Sequence, residues 1–168
     1  MATLLDTLNK KDRFAQSIGA QLVEIREGYA RAELTIEERH LNGADLCQGG
    51  VIYTLADLAF AGVANSHGIL SLGISNTITF IKAGKLGDRI IAECTEQVNH
   101  HKLPYCDIRI TNQDGEILAM MTGNAILNPI DCGAVAMVGG FVVVILVSLL
   151  TPKMNKQTID QIFECYKK

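Results

Sequence analysis

The chain has 168 residues, enough for one domain with a sizeable core. Its net charge of −3, its 5% aromatic content and its lack of tryptophan argue against a nucleic-acid binder, which needs a basic stripe or a stacking platform. The five cysteines are scattered, odd in number and form no C-x-x-C pair, which speaks against a zinc centre or a secreted disulfide framework and for reduced thiols in the cytoplasm.

The run MATLLDTLNKKDRF lacks a basic region followed by an apolar one, so it does not read as a secretory signal. Residues 3–18 read as an amphipathic helix, with Thr3 and Asp6 as a capping box. From Gln21 to Ile36 the period changes to two. LVEI and YARAELTI then form a hairpin around Glu27-Gly28. A polar loop, EERHLNGADLCQ, leads into GGVIYTLADLAFAGVANS, in which Asp57 is the only charge. A helix apolar on nearly every side is buried. Residues 74–82, 88–98, 104–112 and 116–127 read as four more strands. A sheet that covers such a helix has to curl about it, so the expected class is α+β with one curved antiparallel sheet around a central helix.

The C-terminal part differs. Residues 133–151 carry no charge over a length that can span a bilayer. The alternative is a hydrophobic element packed on the domain or on a partner chain. The following lysines prefer the cytoplasm, which conflicts with a cytoplasmic domain before the segment. The stretch KQTIDQIFECYKK reads as a short amphipathic helix.

Three features carry chemistry. Burying a lone carboxylate is costly unless it is paired, hydrogen-bonded or protonated, so Asp57 is either a general base or nucleophile, or an acid satisfied within an interface. Gly49-Gly50 opens the helix, where unpaired N–H groups can hold an anion or an oxyanion; taken alone, the pair is better explained by a plain loop-to-helix turn. Asn42 can orient a carbonyl or a water, yet Asn-Gly is also a common turn. His40 and Cys47 could form a thiol–imidazole pair, but no third orienting group is evident. His100-His101 has no carboxylate or cysteine arranged beside it, so no metal site is expected.

Three segments, HLNGADLCQGGVIYTLADLAFAGVANSHG, SNTITFIKAGKLGD and DGEILAMMTGNAIL, together resemble the hotdog-fold acyl-CoA thioesterases of the phenylacetate-pathway (PaaI) type. The resemblance spans about residues 12–129 and implies a hotdog domain over 1–130, with 131–168 as a hydrophobic extension. It also implies a five- or six-stranded antiparallel sheet, and dimers or tetramers with active sites at the dimer interface. In such a site Asp57 would be general base or nucleophile, the Gly49 N–H would polarise the thioester carbonyl, and Asn42 would place water or thioester. Acid and glycine loop would come from different subunits. Gly50 would lie beside the substrate, Ser75 or Thr77 would assist from the strand after the helix, and Lys82 and Lys85 would contact the CoA moiety. Beyond the CoA that the substrate itself carries, no cofactor is expected. Two departures stand out. Gln48 replaces the family histidine before Gly-Gly and cannot carry a proton. The usual proline of the F-x-x-P-A pattern is absent, with Ala83 and Gly84 in its region.

The leading expectation is a cytoplasmic acyl-CoA thioesterase. The alternative is a non-catalytic acyl-CoA- or lipid-binding hotdog protein, tethered to a membrane through 133–151. A dehydratase on this fold would need a histidine–acid pair, and the long helix has no histidine. Tyr53, Leu58, Phe60 and Phe80 are candidates either for the acyl groove or for the core.

Overall fold

The computed structural model describes residues 3–100, 103–127 and 129–150. The chain divides into two compact units, Met1–Pro129 and Ile130–Lys168.

The first unit opens with two short helices, α1 (Leu4–Lys11) and α2 (Arg13–Ser17). Thr3 and Asp6 cap α1 reciprocally. The single helix expected over 3–18 breaks at Asp12, which has extended φ and ψ. Its N–H closes α1 on the Leu8 carbonyl at 3.0 Å, while its side chain accepts the Ala15 N–H at 2.9 Å and opens α2. Strands β1 (Gln21–Arg26) and β2 (Tyr29–Thr35) form the expected hairpin, turned by Gly28 at φ 71°.

The long helix α3 covers Gly49–Ala64. After it come β3 (Ser71–Phe80), β4 (Arg89–Val98), β5 (Tyr105–Thr111) and β6 (Ile117–Leu127). The six strands form one antiparallel sheet in the order β1-β2-β4-β5-β6-β3. Helix α3 packs against every one of them, so the sheet wraps around it. The strand face toward α3 is built from alternating apolar residues. Ala30, Ala32, Ile90, Ala92, Cys94, Ile108, Ile110 and Ala119 are all fully or almost fully buried. The small residues let the helix approach closely: a Cβ on Gly62 would lie 2.8 Å from that of Ala30.

Two details set up the site. Asn65 ends α3 and ties it to β3. Its Nδ2 donates to the Ala61 carbonyl, and its Oδ1 accepts the Ser71 N–H at 3.0 Å. Strand β3 then carries a bulge between Gly73 and Ser75. A bulge adds one residue and reverses the in–out phase of the residues beyond it. On the far side of the bulge, Asn76, Ile78 and Phe80 face the helix while Ser75 and Thr77 face away.

In the second unit, α4 covers Pro129–Leu150. Its described side chains from Phe141 to Leu150 are exposed. Among the described residues no helix is long and apolar enough to cross a membrane. The bilayer span expected for 133–151, and the tether built on it, therefore find no support there. The terminal amphipathic helix expected in KQTIDQIFECYKK lies outside the described residues.

Candidate active site

Helix α3 begins where it does because Gln48 caps it. The Gln48 backbone is extended and its side-chain Oε1 accepts the Gly50 N–H. Gly49 is the first helical residue, and no carbonyl or side chain of the chain's described hydrogen bonds takes its N–H. The ring of Phe80 lies so close that a Cβ on Gly49 would be 3.1 Å from it. An aromatic wall thus stands beside a free amide at the positive end of a helix.

Most of α3 is buried, but one stripe is not covered by the chain's own sheet. Gly50, Tyr53, Thr54, Asp57 and Ala61 recur at helical spacing and are half-buried or exposed. Asp57 is the single acid in it. Its Oδ1 accepts a hydrogen bond from Asn76 Nδ2 at 2.8 Å, and the same nitrogen reaches the Tyr53 hydroxyl at 3.2 Å. Burial pushes the Asp57 carboxyl above its ordinary value; the Asn76 hydrogen bond opposes this and the charge of Asp12 adds to it. A half-buried carboxylate with a raised proton affinity and one oxygen already held is suited to take a proton from water.

Next to Tyr53 lies a cavity of about 340 Å³. Phe14, Ile18, Val51 and Tyr53 form its apolar wall, with Gln48 and Thr54 as polar groups. Of the four groove candidates, Tyr53 lines this cavity and Phe80 stands at Gly49, while Leu58 and Phe60 belong to the core at 2% exposure each.

The other expected residues are distributed differently. Asn42 is exposed, and its Oδ1 accepts the Ala44 N–H at 2.8 Å and the Leu46 N–H at 3.3 Å. Its carbonyl oxygen thus holds its own loop, which leaves the amide nitrogen as its outward donor. Ser75 and Thr77 are not brought to Asp57. The bulge turns them to the far face, and Asn76 between them takes that place. Lys82 is exposed and pairs with Glu116 at 2.7 Å, and the Lys85 N–H is held by Asp88. His40 and Cys47 do not form a nucleophilic pair. His40 Nδ1 accepts the Glu37 N–H at 3.0 Å, and burial pushes the Cys47 thiol up to about 11, the reverse of activation. Among the described residues no group of three or more metal-ligating side chains is assembled.

Gly49 and Asp57 lie on one helix, eight residues apart, which is about 12 Å along its axis. One chain therefore does not bring its acid and its free amide to the same carbonyl.

Residues 46–119 match the family model of the thioesterase superfamily. A putative esterase of Archaeoglobus fulgidus is 37% identical over 118 residues, covering 70% of this chain and 77% of that protein. The acyl-coenzyme A thioesterase PaaI of Escherichia coli is 34% identical over 118 residues, covering 69% of this chain and 83% of its own. The solved structure of the E. coli PaaI protein from the phenylacetic acid degradation operon superposes with a TM-score of 0.70 at 30% identity, over 72% of this chain and 88% of that one. With its six-stranded sheet wrapped around a helix that carries one acid, the chain belongs to the thioesterase superfamily and is a hotdog-fold thioester hydrolase of the PaaI type.

Proposed function

We propose that this protein hydrolyses acyl- or aryl-acyl-CoA thioesters to free CoA and a carboxylic acid, in sites that two chains share. Asp57 of one chain accepts a proton from water as the water oxygen attacks the thioester carbonyl carbon. The Gly49 N–H of the second chain donates to the oxygen that becomes negative. The C–S bond then breaks, and the proton held by Asp57 passes to the departing thiolate. No cofactor enters this sequence. Asn42 would steady the glycine loop, Gln48 would fix the first turn that presents the amide, and Gly50 would border the acyl group. Lys82 and Lys85 would sit near the CoA phosphates.

The observation that carries the reading is the placement of Asp57. It is the one acid of the long helix, held by Asn76 on a stripe that the chain leaves uncovered. The gap of about 12 Å to Gly49 supports a shared site, because a second copy laid against that stripe would supply the missing amide. The similarity to PaaI supports acyl-CoA as the substrate class. The buried free thiols of Cys47, Cys94 and Cys106 support a reducing, cytoplasmic setting.

The purified chain should release free thiol from one or more of benzoyl-, phenylacetyl- and hexanoyl-CoA. Asp57→Asn should lower that release by about a thousandfold, since the base is lost while the oxyanion donor stays. Near-full turnover by the variant would sink the mechanism. Saturable acyl-CoA binding in a calorimeter with no thiol release by the unaltered chain would instead establish a binding protein.

A further inference from the structure

The polar residue that β3 presents to Asp57 has no assigned role. We infer that Asn76 is a positioning residue: its carboxamide pins Oδ1 of Asp57 so that the other carboxylate oxygen is turned toward the attacking water. The inference rests on the reading of Asp57 as the base.

Four observations support it. Asn76 Nδ2 lies 2.8 Å from Asp57 Oδ1 and 3.2 Å from the Tyr53 hydroxyl. Tyr53 and Asp57 are one helical turn apart, so a single amide group bridges two residues of α3 from the neighbouring strand. An amide neither gains nor loses a proton near neutral pH, so it can hold the carboxylate without competing for the proton the base must take. The fold also makes room for this side chain. Asn76 pairs with Gly123 across the ladder, and a Cβ there would lie 2.8 Å from Asn76 Oδ1 and 3.1 Å from the Phe60 ring. Finally, Asn76 Oδ1 is buried and has no hydrogen-bond partner among the described residues. An unmet acceptor weakens a fold, so a purely structural amide would be expected to satisfy both ends. Here the carboxamide turns its donor end to the carboxylate and leaves its acceptor end unmet against Gly123.

The hydrogen bond stabilises the charged form of Asp57, against burial. Its removal therefore raises the proton affinity of the base, and activity at low pH is lost sooner. The test is steady-state thiol release by the full chain from about pH 4 to about pH 9, a range that brackets the titration of a raised carboxyl. The substrate is whichever CoA ester of the panel it hydrolyses fastest. Asn76→Leu should lower kcat about ten- to a hundredfold and leave KM within about threefold. The acid limb of kcat/KM should move upward by about one pH unit. Asn76→Ser keeps a donor and should recover part of the loss in kcat. Gly123→Ala crowds the amide without touching Asp57 and should give a smaller fall in kcat in the same direction. If Asn76→Leu does not fold, the serine and Gly123 variants carry the test.

An acid limb that stays in place in these variants overturns the inference. So does a rise in KM that accounts for the whole loss, which would mark Asn76 as pocket lining. Asp57→Asn separates the two readings. A fully active Asp57→Asn variant removes the base itself, whereas an inactive one beside an unaffected Asn76→Leu removes only the positioning role.

Discussion

Strands β3 and β4 are each ten residues long and both are rich in strand-forming residues, yet the chain treats them oppositely. Strand β4 lies between β2 and β5, and its Ile90, Ala92 and Cys94 are completely buried. Strand β3 is paired only with β6 at the end of the sheet, and Leu72, Ile74 and Phe80 remain about half exposed at 53%, 55% and 50%. An apolar edge strand is a liability in a lone chain, because its free N–H and C=O groups invite pairing. The difference teaches where the molecule is finished and where it is not. Around β4 the chain buries its apolar side chains with its own residues alone. The half that carries Asn76, next to the uncovered stripe of Asp57, is the one that the proposed shared site would close with a second copy.

Three changes would break or sharpen that contrast. Leu72→Lys combined with Ile74→Lys should do the most. In a two-fold interface the added lysines of the two copies are brought together about the axis, and the repulsion should yield monomers in analytical ultracentrifugation. Thiol release should fall about a hundredfold or more, since acid and amide would no longer meet on one carbonyl. A dimer with unimpaired turnover would show that β3 is not the seam. Next in size is Ile90→Ala on β4, which should cost about 2–5 kcal/mol in urea unfolding, against well under about 1 kcal/mol for Leu72→Ala within the isolated chain.

The smallest effect concerns Asp57, which sits between the two regimes. Its native proton affinity is raised above the reference value of 3.8. The folded state therefore binds this proton more tightly than the unfolded one does. Its contribution to stability is present below the unfolded value and is lost as pH rises through the native one. At neutral pH Asp57→Asn should therefore melt at or slightly above the unaltered protein, with the gap closing in acid. A drop of several degrees at neutral pH would assign the carboxylate a structural duty instead.

Much of the architecture is legible in the residues. The hairpin, the long helix starting at Gly49 and the strands β4 to β6 follow from periods of two and of 3.6 bounded by glycine turns. The helix over 3–18 is less legible, because Asp12 serves as a C-cap and an N-cap at once, and amphipathic spacing alone does not reveal it. Strand β3 begins three residues earlier than its alternation suggests, since Asn65 clasps Ser71 and starts the ladder there. For the site, Asp57 stands out as one charge in an apolar run. Asn76 does not, because the hydroxyls of Ser75 and Thr77 on either side of it are equally able to assist a base. Two signals point to it: Ile78 and Phe80 share its phase, and Gly123 faces it across the ladder.

The bulge at β3 has a consequence for how such a site changes over generations. Which side chain meets the acid is decided by a count of residues rather than by any one residue's identity. If the extra residue sat a few positions further along, Ser75 and Thr77 would face the helix and Asn76 would face away. A hydroxyl helper and an amide helper are thus separated by one insertion and one deletion, with no substitution near the acid. An ancestor could have exchanged one for the other in a single shift of register while every residue of α3 stayed as it was.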